Sequence, residues 1–499
     1  MNLAFFGDGP AAAFIRPIAI VLAVLCLFAG AHAWARSPDQ NYHPICVSGS
    51  EQGASAPCIA FKDFVRANKK FGVRKDGWIT DLRDSSACKN ECEPAPFEIG
   101  TLEYKSDHDG AATRWQNEQL QAILRSVKST QTTNKLYVIV FIHGWHHDAH
   151  DNGEDYSDSA PREDQETFDN LVDRNLRYFK HILAKARHEL NVRGDVERKV
   201  LGVYVGWNGG PPDAVLNIGR RARAADRIGN SDDFATDLKK LSDAVHAADS
   251  SNRMLVVGHS LGGRLISRYM LRHFARTMEP LGRHTLVATI NAAVGADAFD
   301  DLMQTPTRGG PPSWINITSE DDWATGTLYP IATSLFGRVA QFGRGIADKP
   351  GRDSASQTIG HYNRYLTHRL WTCIDDAGEK DGCDSSSWWR STCPTPIERN
   401  GRNTRWYALR RDSHVACVAL KYMDNNGRAT TMNQRYRVAL VDQDGELVFH
   451  APAGSMWNIT TDTTFIGADP DHEHISAPTH NAFVQTNFYR MLLELAFAR

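Results

Sequence analysis

The segment Gly258-His259-Ser260-Leu261-Gly262-Gly263 has the residue types and spacing that nucleophilic chemistry requires. It follows the apolar run Met254-Leu255-Val256-Val257 and precedes a helical pattern from Leu261 to Arg276. A serine at a sharp strand-to-helix turn projects its hydroxyl from the apex, and small neighbours let the turned backbone pack closely. With a base beside it, such a hydroxyl attacks acyl carbon and forms a covalent intermediate. A helix-capping serine between turn glycines is the ordinary alternative. The position of the motif between a strand and a helix favours the nucleophile.

A second cluster, His143, His146, His147, Asp148 and His150, crowds one loop. Imidazoles in that number could hold a metal, as in a metal-dependent hydrolase. The spacing contains no HExxH helix pair, so the expected reading is a polar loop at the mouth of a site, with no metal and no cofactor. His147 or His146 would then lie near substrate.

Alternating strand and helix patterns surround these motifs and predict an α/β fold with a mainly parallel sheet. Phe97–Tyr104 alternates like an edge strand, and apolar residues from Glu118 to Val127 recur at helical spacing. The runs Leu136–Ile142, Val200–Val205, Met254–Val257, Thr285–Ile290 and Trp314–Ile317 read as strands covered on both faces. Helical patterns cover 168–190, 234–248 and 261–276. The core is expected over residues 97–347, and residues 456–499 supply its last strand and closing helix. Between them, residues 348–455 form a Cys-bearing, β-rich insertion that could act as a lid. Trp371, Trp388 and Trp389 lie in it as its own core or as an apolar lining.

These motifs resemble the α/β-hydrolase superfamily over residues 97–347 and 456–499. The chain is most similar to a bacterial group of esterase- and lipase-like hydrolases marked by His143-Gly144-Trp145, Gly206-Trp207 and Gly258-His259-Ser260-Leu261-Gly262-Gly263. The resemblance implies an oxyanion hole made by the backbone N–H groups of Trp145 and Leu261. It also implies the chain order nucleophile, acid, base. The acid would follow strand Trp314–Ile317, where the family's Ser-x-x-Asp register selects Asp322, with Asp321 as the nearer alternative and Asp297, after the preceding strand, as a distant one. The base would follow the last strand, where a His-x-x-Ile pattern selects His472, with His474 and His361 as alternatives.

The 499 residues carry a formal charge of −3, with 41% hydrophobic and 23% charged residues. That balance excludes a nucleic-acid partner and a solvating acidic tail. Residues 17–35 are apolar, follow Arg16 and end in Ala31-His32-Ala33, which fits a signal peptide; the run is also long enough for a membrane anchor. The first 35 residues are assigned to that leader, and 36–96 to a Cys-containing segment. Beyond Cys26, eight cysteines fall in two groups of four, Cys46 to Cys92 and Cys373 to Cys417, which reads as disulfide stapling in an oxidising compartment. The expected protein is an exported serine hydrolase, periplasmic or secreted, acting on a small-molecule or lipid carboxylic ester. The competing readings are a non-catalytic binding protein on the same fold and the metal-dependent hydrolase built on the His143–His150 loop.

Overall fold

The computed structural model describes residues 71–73, 79–81, 93–94, 97–106, 112–114, 117–145, 174–192, 194–207, 209, 218–247, 249–274, 276–277, 279–303, 312–330, 353–366, 368–376, 403–411, 414–421, 455–461, 480, 492–493 and 495–497. The leader, the cysteine side chains, His146, His147, His150, His472 and His474 lie outside the described residues. Three short strands, β1 (Phe71–Val73), β2 (Ile79–Asp81) and β3 (Glu93–Pro94), form a small antiparallel sheet.

The main sheet is α/β and mostly parallel. Its elements in chain order are β4 (Glu98–Ser106), β5 (Ala112–Arg114), α1 (Asn117–Gln131), β6 (Lys135–Ile142), α2 (Arg174–Val192) and β7 (Arg198–Trp207). Then come α3 (Ile218–Gly229), α4 (Asp232–Ala247), β8 (Arg253–His259), α5 (Leu261–Phe274), β9 (Thr285–Ile290) and β10 (Pro312–Ser319). β11 (His368–Asp376), β12 (Asn403–Arg411), β13 (His414–Lys421) and β14 (Ser455–Thr461) follow. Eight strands lie side by side as β5-β4-β7-β6-β8-β9-β10-β14, parallel throughout except for the short β5. β4 was expected at the edge, but β5 pairs antiparallel with it and takes the edge instead.

Period-two alternation explains why helices cover both faces. Along β6, Leu136, Val138, Val140 and Ile142 join the apolar core with Leu120, Ile123 and Val127 of α1 and with residues of α3, α4 and α5. The intervening side chains face the other way. There Phe141 stacks on Phe179 of α2 at 5.5 Å, and Tyr137 meets Phe497 of the C-terminal segment edge-on at 5.3 Å.

The stretch 348–455 divides in two. Residues 353–366 are core rather than lid: Ile359 is fully buried and its N–H donates to the Val294 carbonyl, while Gly360 lies so tightly on Thr318 that a Cβ there would collide with it. β11, β12 and β13 then continue the main sheet beyond β14, making eleven strands in all, with β11 parallel to β14 and the three antiparallel among themselves. Thus the inserted strands extend the existing sheet.

A buried polar row explains why residues 359–365 dock where they do. Thr289, Asn316 and Asn458 stand at paired positions on β9, β10 and β14. The Thr289 hydroxyl donates to Asn316 Oδ1 (2.9 Å), and Asn316 Nδ2 donates to Asn458 Oδ1 (2.8 Å). Asn458 Nδ2 in turn donates to the carbonyls of Ile359 (2.8 Å) and Tyr365 (3.0 Å). An unpaired amide here would cost about 1–3 kcal/mol, so the row specifies one register and one docking position.

Candidate active site

The loops that carry the candidate residues all leave the carboxyl ends of parallel strands. His143-Gly144-Trp145 follows β6, Ser260 follows β8, Asn291 follows β9, Asp322 follows β10, and His480 lies beyond β14. The chain leaves β6 toward β7 and leaves β8 toward β9, in opposite directions across the sheet. A parallel sheet opens a crevice at such a reversal.

Ser260 stands at a strained turn, with φ of 54°. A left-handed conformation costs a non-glycine residue about 1–3 kcal/mol and persists only where its surroundings impose it. Here the Ser260 N–H donates to the Ile290 carbonyl (3.0 Å), and its own carbonyl accepts from Arg264 (3.0 Å) and Ala293 (3.0 Å). A Cβ at Gly262 would strike the carbonyl oxygens of Ile142 and His143, so only glycine lets α5 start this close to the β6 loop. A Cβ at Gly144 would come within 3.1 Å of the Ser260 Cβ, which brings the His143–Trp145 backbone directly beside the serine. Gly258 abuts the Gly262 backbone in the same packed turn.

Leu261 opens α5, so its N–H has no preceding carbonyl within the helix to bond and lies at the positive pole of the helix dipole. Trp145, partly buried against the core, continues the loop beside Ser260.

The motif pair His143 and Trp207 forms one interlock. The Trp207 backbone N–H donates to His143 Nε2 (3.0 Å), which leaves Nδ1 protonated to donate to the Gly144 carbonyl (2.8 Å). Trp207 Nε1–H donates back to the His143 carbonyl (2.9 Å), and the two rings lie within 10° of parallel at 5.5 Å. His143 is fully buried with both ring nitrogens engaged, so it can serve neither substrate nor a metal. Its work is to fix the loop. Among the described residues, no group of three metal-ligating side chains gathers.

Asp322 is buried, whereas Asp321 and Glu320 are exposed at the same turn. Burial alone would raise the Asp322 pKa; the charge and hydrogen bond of His480, the Thr325 hydroxyl and the charge of His361 outweigh it and lower the value to about 2. Oδ1 accepts from His480 Nδ1 (2.9 Å) and from the Ala324 N–H (3.0 Å), and Oδ2 accepts from the Thr325 hydroxyl. The pair that this turn makes is therefore Asp322 with His480. Asp321 is not the partner of His480.

His480 went unnoticed in the sequence, where the family pattern pointed to His472 and His474. The signal that could have found it is its place just before the closing helical pattern from Ala482, at the end of the last loop. His361, the other candidate base, lies on the far side of Thr325. The Thr325 hydroxyl spends its proton on Asp322, so His361 Nε2–H donates to Thr325 Oγ1 across 3.1 Å. Burial lowers the His361 pKa, against the opposing charge of Asp322, and keeps the ring neutral near pH 7. His361 is thus joined to Asp322 through the Thr325 hydroxyl.

His259 and Asn291 complete the site. His259 Nε2 and Asn291 Nδ2 both donate to the His480 carbonyl, each at 2.9 Å. The His259 and His480 rings lie 4.9 Å apart. The His480 ring therefore has its Nδ1 on the acid and sits against the residue next to Ser260. Compared with known proteins, the chain matches no family model, no curated protein and no solved structure.

Proposed function

We propose that this chain is a serine hydrolase of carboxylic esters on an α/β-hydrolase fold, with Ser260 as nucleophile, His480 as base and Asp322 as its orienting acid. One observation carries the reading: a buried carboxylate, ionised with a pKa of about 2, holds Nδ1 of a histidine at the sheet edge where a serine occupies a strained strand-to-helix turn. The chain order serine, aspartate, histidine is that of the fold. The eight-strand, mostly parallel sheet with flanking helices is compatible with an α/β fold.

In this mechanism His480 Nε2 accepts the Ser260 proton as Oγ attacks the ester carbonyl carbon. The backbone N–H groups of Leu261 and Trp145 stabilise the oxyanion that forms. Collapse expels the alcohol, which takes its proton from His480 and leaves an acyl-enzyme on Ser260. Water then gives a proton to His480, attacks the acyl carbon and releases the acid, and the returned proton restores Ser260. Asp322 keeps its charge throughout and stabilises the imidazolium. The apolar leader and the even cysteine count of the remaining chain support export as part of the same proposal.

Intact mass after treatment of the full chain with a fluorophosphonate tests the reading. The expected result is one adduct on the parent and none on Ser260→Ala. A folded parent that takes no adduct overturns the proposal.

A further inference from the structure

The His480 carbonyl is held by side chains from two neighbouring strand ends. His259, which ends β8, donates from Nε2 to the His480 carbonyl at 2.9 Å. Asn291, just beyond β9, donates from Nδ2 to the same oxygen at 2.9 Å. Asn291 also reaches the acid's strand: its Oδ1 accepts from the Ser319 N–H (3.0 Å) and its own N–H donates to the Ile317 carbonyl (2.9 Å). One fully buried residue thus bonds the backbone of the histidine and the end of the strand that leads to Asp322.

The backbone shows what this arrangement requires. Asn291 has φ of 46°, a region where glycine would be less strained. Glycine would retain the turn and lose both side-chain bonds. Asparagine tolerates this conformation better than most residues, and its amide alone supplies a donor for one neighbour and an acceptor for the other.

We propose that His259 and Asn291 are positioning residues that clamp the His480 carbonyl, fixing the base between nucleophile and acid. The inference rests on the hydrolase reading above and extends it to two residues that touch no reacting atom. It also gives the residue before the nucleophile a task.

The test compares His259→Leu, His259→Gln, Asn291→Gly and the Leu/Gly double variant in the full chain. Initial rates on a p-nitrophenyl acyl ester, the pH profile of kcat and the rate of fluorophosphonate labelling of Ser260 are measured, with melting temperature as the folding control. Misplacing a reacting group by about 1 Å costs roughly 10²-fold, so the double variant should lose about that much kcat and each single variant about tenfold, with KM within about twofold. His259→Gln restores a donor near the Nε2 position and should stay within about threefold of the parent, with an unshifted acidic limb. If Asn291→Gly fails to fold, the Leu and Gln variants at His259 still decide the question. Unchanged kcat in a folded His259→Leu, with Ser260 still labelled in the parent, overturns the clamp and leaves the hydrolase intact. Loss of activity in His259→Gln as deep as in His259→Leu overturns it too, because a donor alone would then not suffice. A parent whose Ser260 takes no label overturns the hydrolase reading, and the clamp with it.

Discussion

At the carboxyl ends of the strands, His480 meets the ionised Asp322, His259 donates to a carbonyl, and His143 is fixed between Trp207 and Gly144. At the opposite ends, His246 closes α4 and packs edge-on against His284, which precedes β9, with ring centroids 5.8 Å apart. Ser242 contacts the His246 ring at 3.4 Å but spends its hydroxyl proton on the Leu281 carbonyl. Burial, then the neighbouring His284, lowers the His246 pKa to about 4, so it stays neutral. The two regions thus place imidazoles at opposite ends of the same strands. What separates them is the buried carboxylate of Asp322, whose Oδ1 accepts from His480 Nδ1.

The sharpest way to break this comparison is to remove the paired histidine. His480→Ala should lower kcat by roughly 10⁴- to 10⁶-fold, the range seen when a triad member is deleted. His472→Ala and His474→Ala should remain within a few fold of the parent. Ester turnover of the three variants decides the matter: a large loss at His472 with near-normal turnover in His480→Ala would transfer the base to His472.

A smaller effect tests the support of the acid. Thr325→Val removes the hydroxyl that donates to Asp322 Oδ2 and separates His361 from the network. A hydrogen bond to a charged group contributes about 1.5–3 kcal/mol, and the variant should lose about that much unfolding free energy at pH 7. The sign follows from the depressed carboxyl: its stabilisation is present above the unfolded pKa, about 3.9, and is lost as pH falls toward the folded value of about 2. Denaturant unfolding of parent and variant should therefore differ at pH 7 and converge below about pH 4. A difference that does not change with pH would mean that Thr325 acts by packing alone.

The comparison also explains what could be read from the chain itself. The buried strands β6 to β10 were legible because a strand covered on both faces must be apolar along its length. The turn at Ser260 was legible because the glycines that its close packing demands stand together in the chain, at 258, 262 and 263. Asp322 was favoured over Asp321 by register; the fold buries Asp322 and leaves Asp321 exposed. His480 was passed over because its one local mark is its place before the closing helical pattern, while its pairing is with Asp322, 158 residues away. Helix α3 was missed for a related reason. Its inner face is Ala222, Ala225 and Gly229, and Asp226 binds Arg264 and Arg268 of α5, so an apolar stripe of large residues never appears. Residues 353–366 likewise dock through Asn458 and Thr318, by polar pairing and close approach.

The smallest effect concerns the other end of the sheet, where the histidine pair should report on folding and leave chemistry alone. His246 has a folded pKa of about 4, below the roughly 6.5 of an unfolded histidine. Between those values the unfolded chain binds more protons, so stability is complete above about pH 6.5 and is lost as pH falls toward 4. His284 and Arg253 oppose the charged ring and Asp243 favours it, and none of these side chains is replaced in His246→Gln. That variant should lose less stability than the parent between pH 6.5 and 4, by about 1 kcal/mol once partial exposure is discounted. Urea unfolding at several pH values measures the difference. Ser260 labelling at pH 7.5 should be the same in both proteins. A variant that unfolds with the parent's pH dependence would remove the titration of His246 from the account. One that loses labelling would show that the two ends of the sheet are coupled, and that the acid pairing at Asp322 is not enough to set them apart.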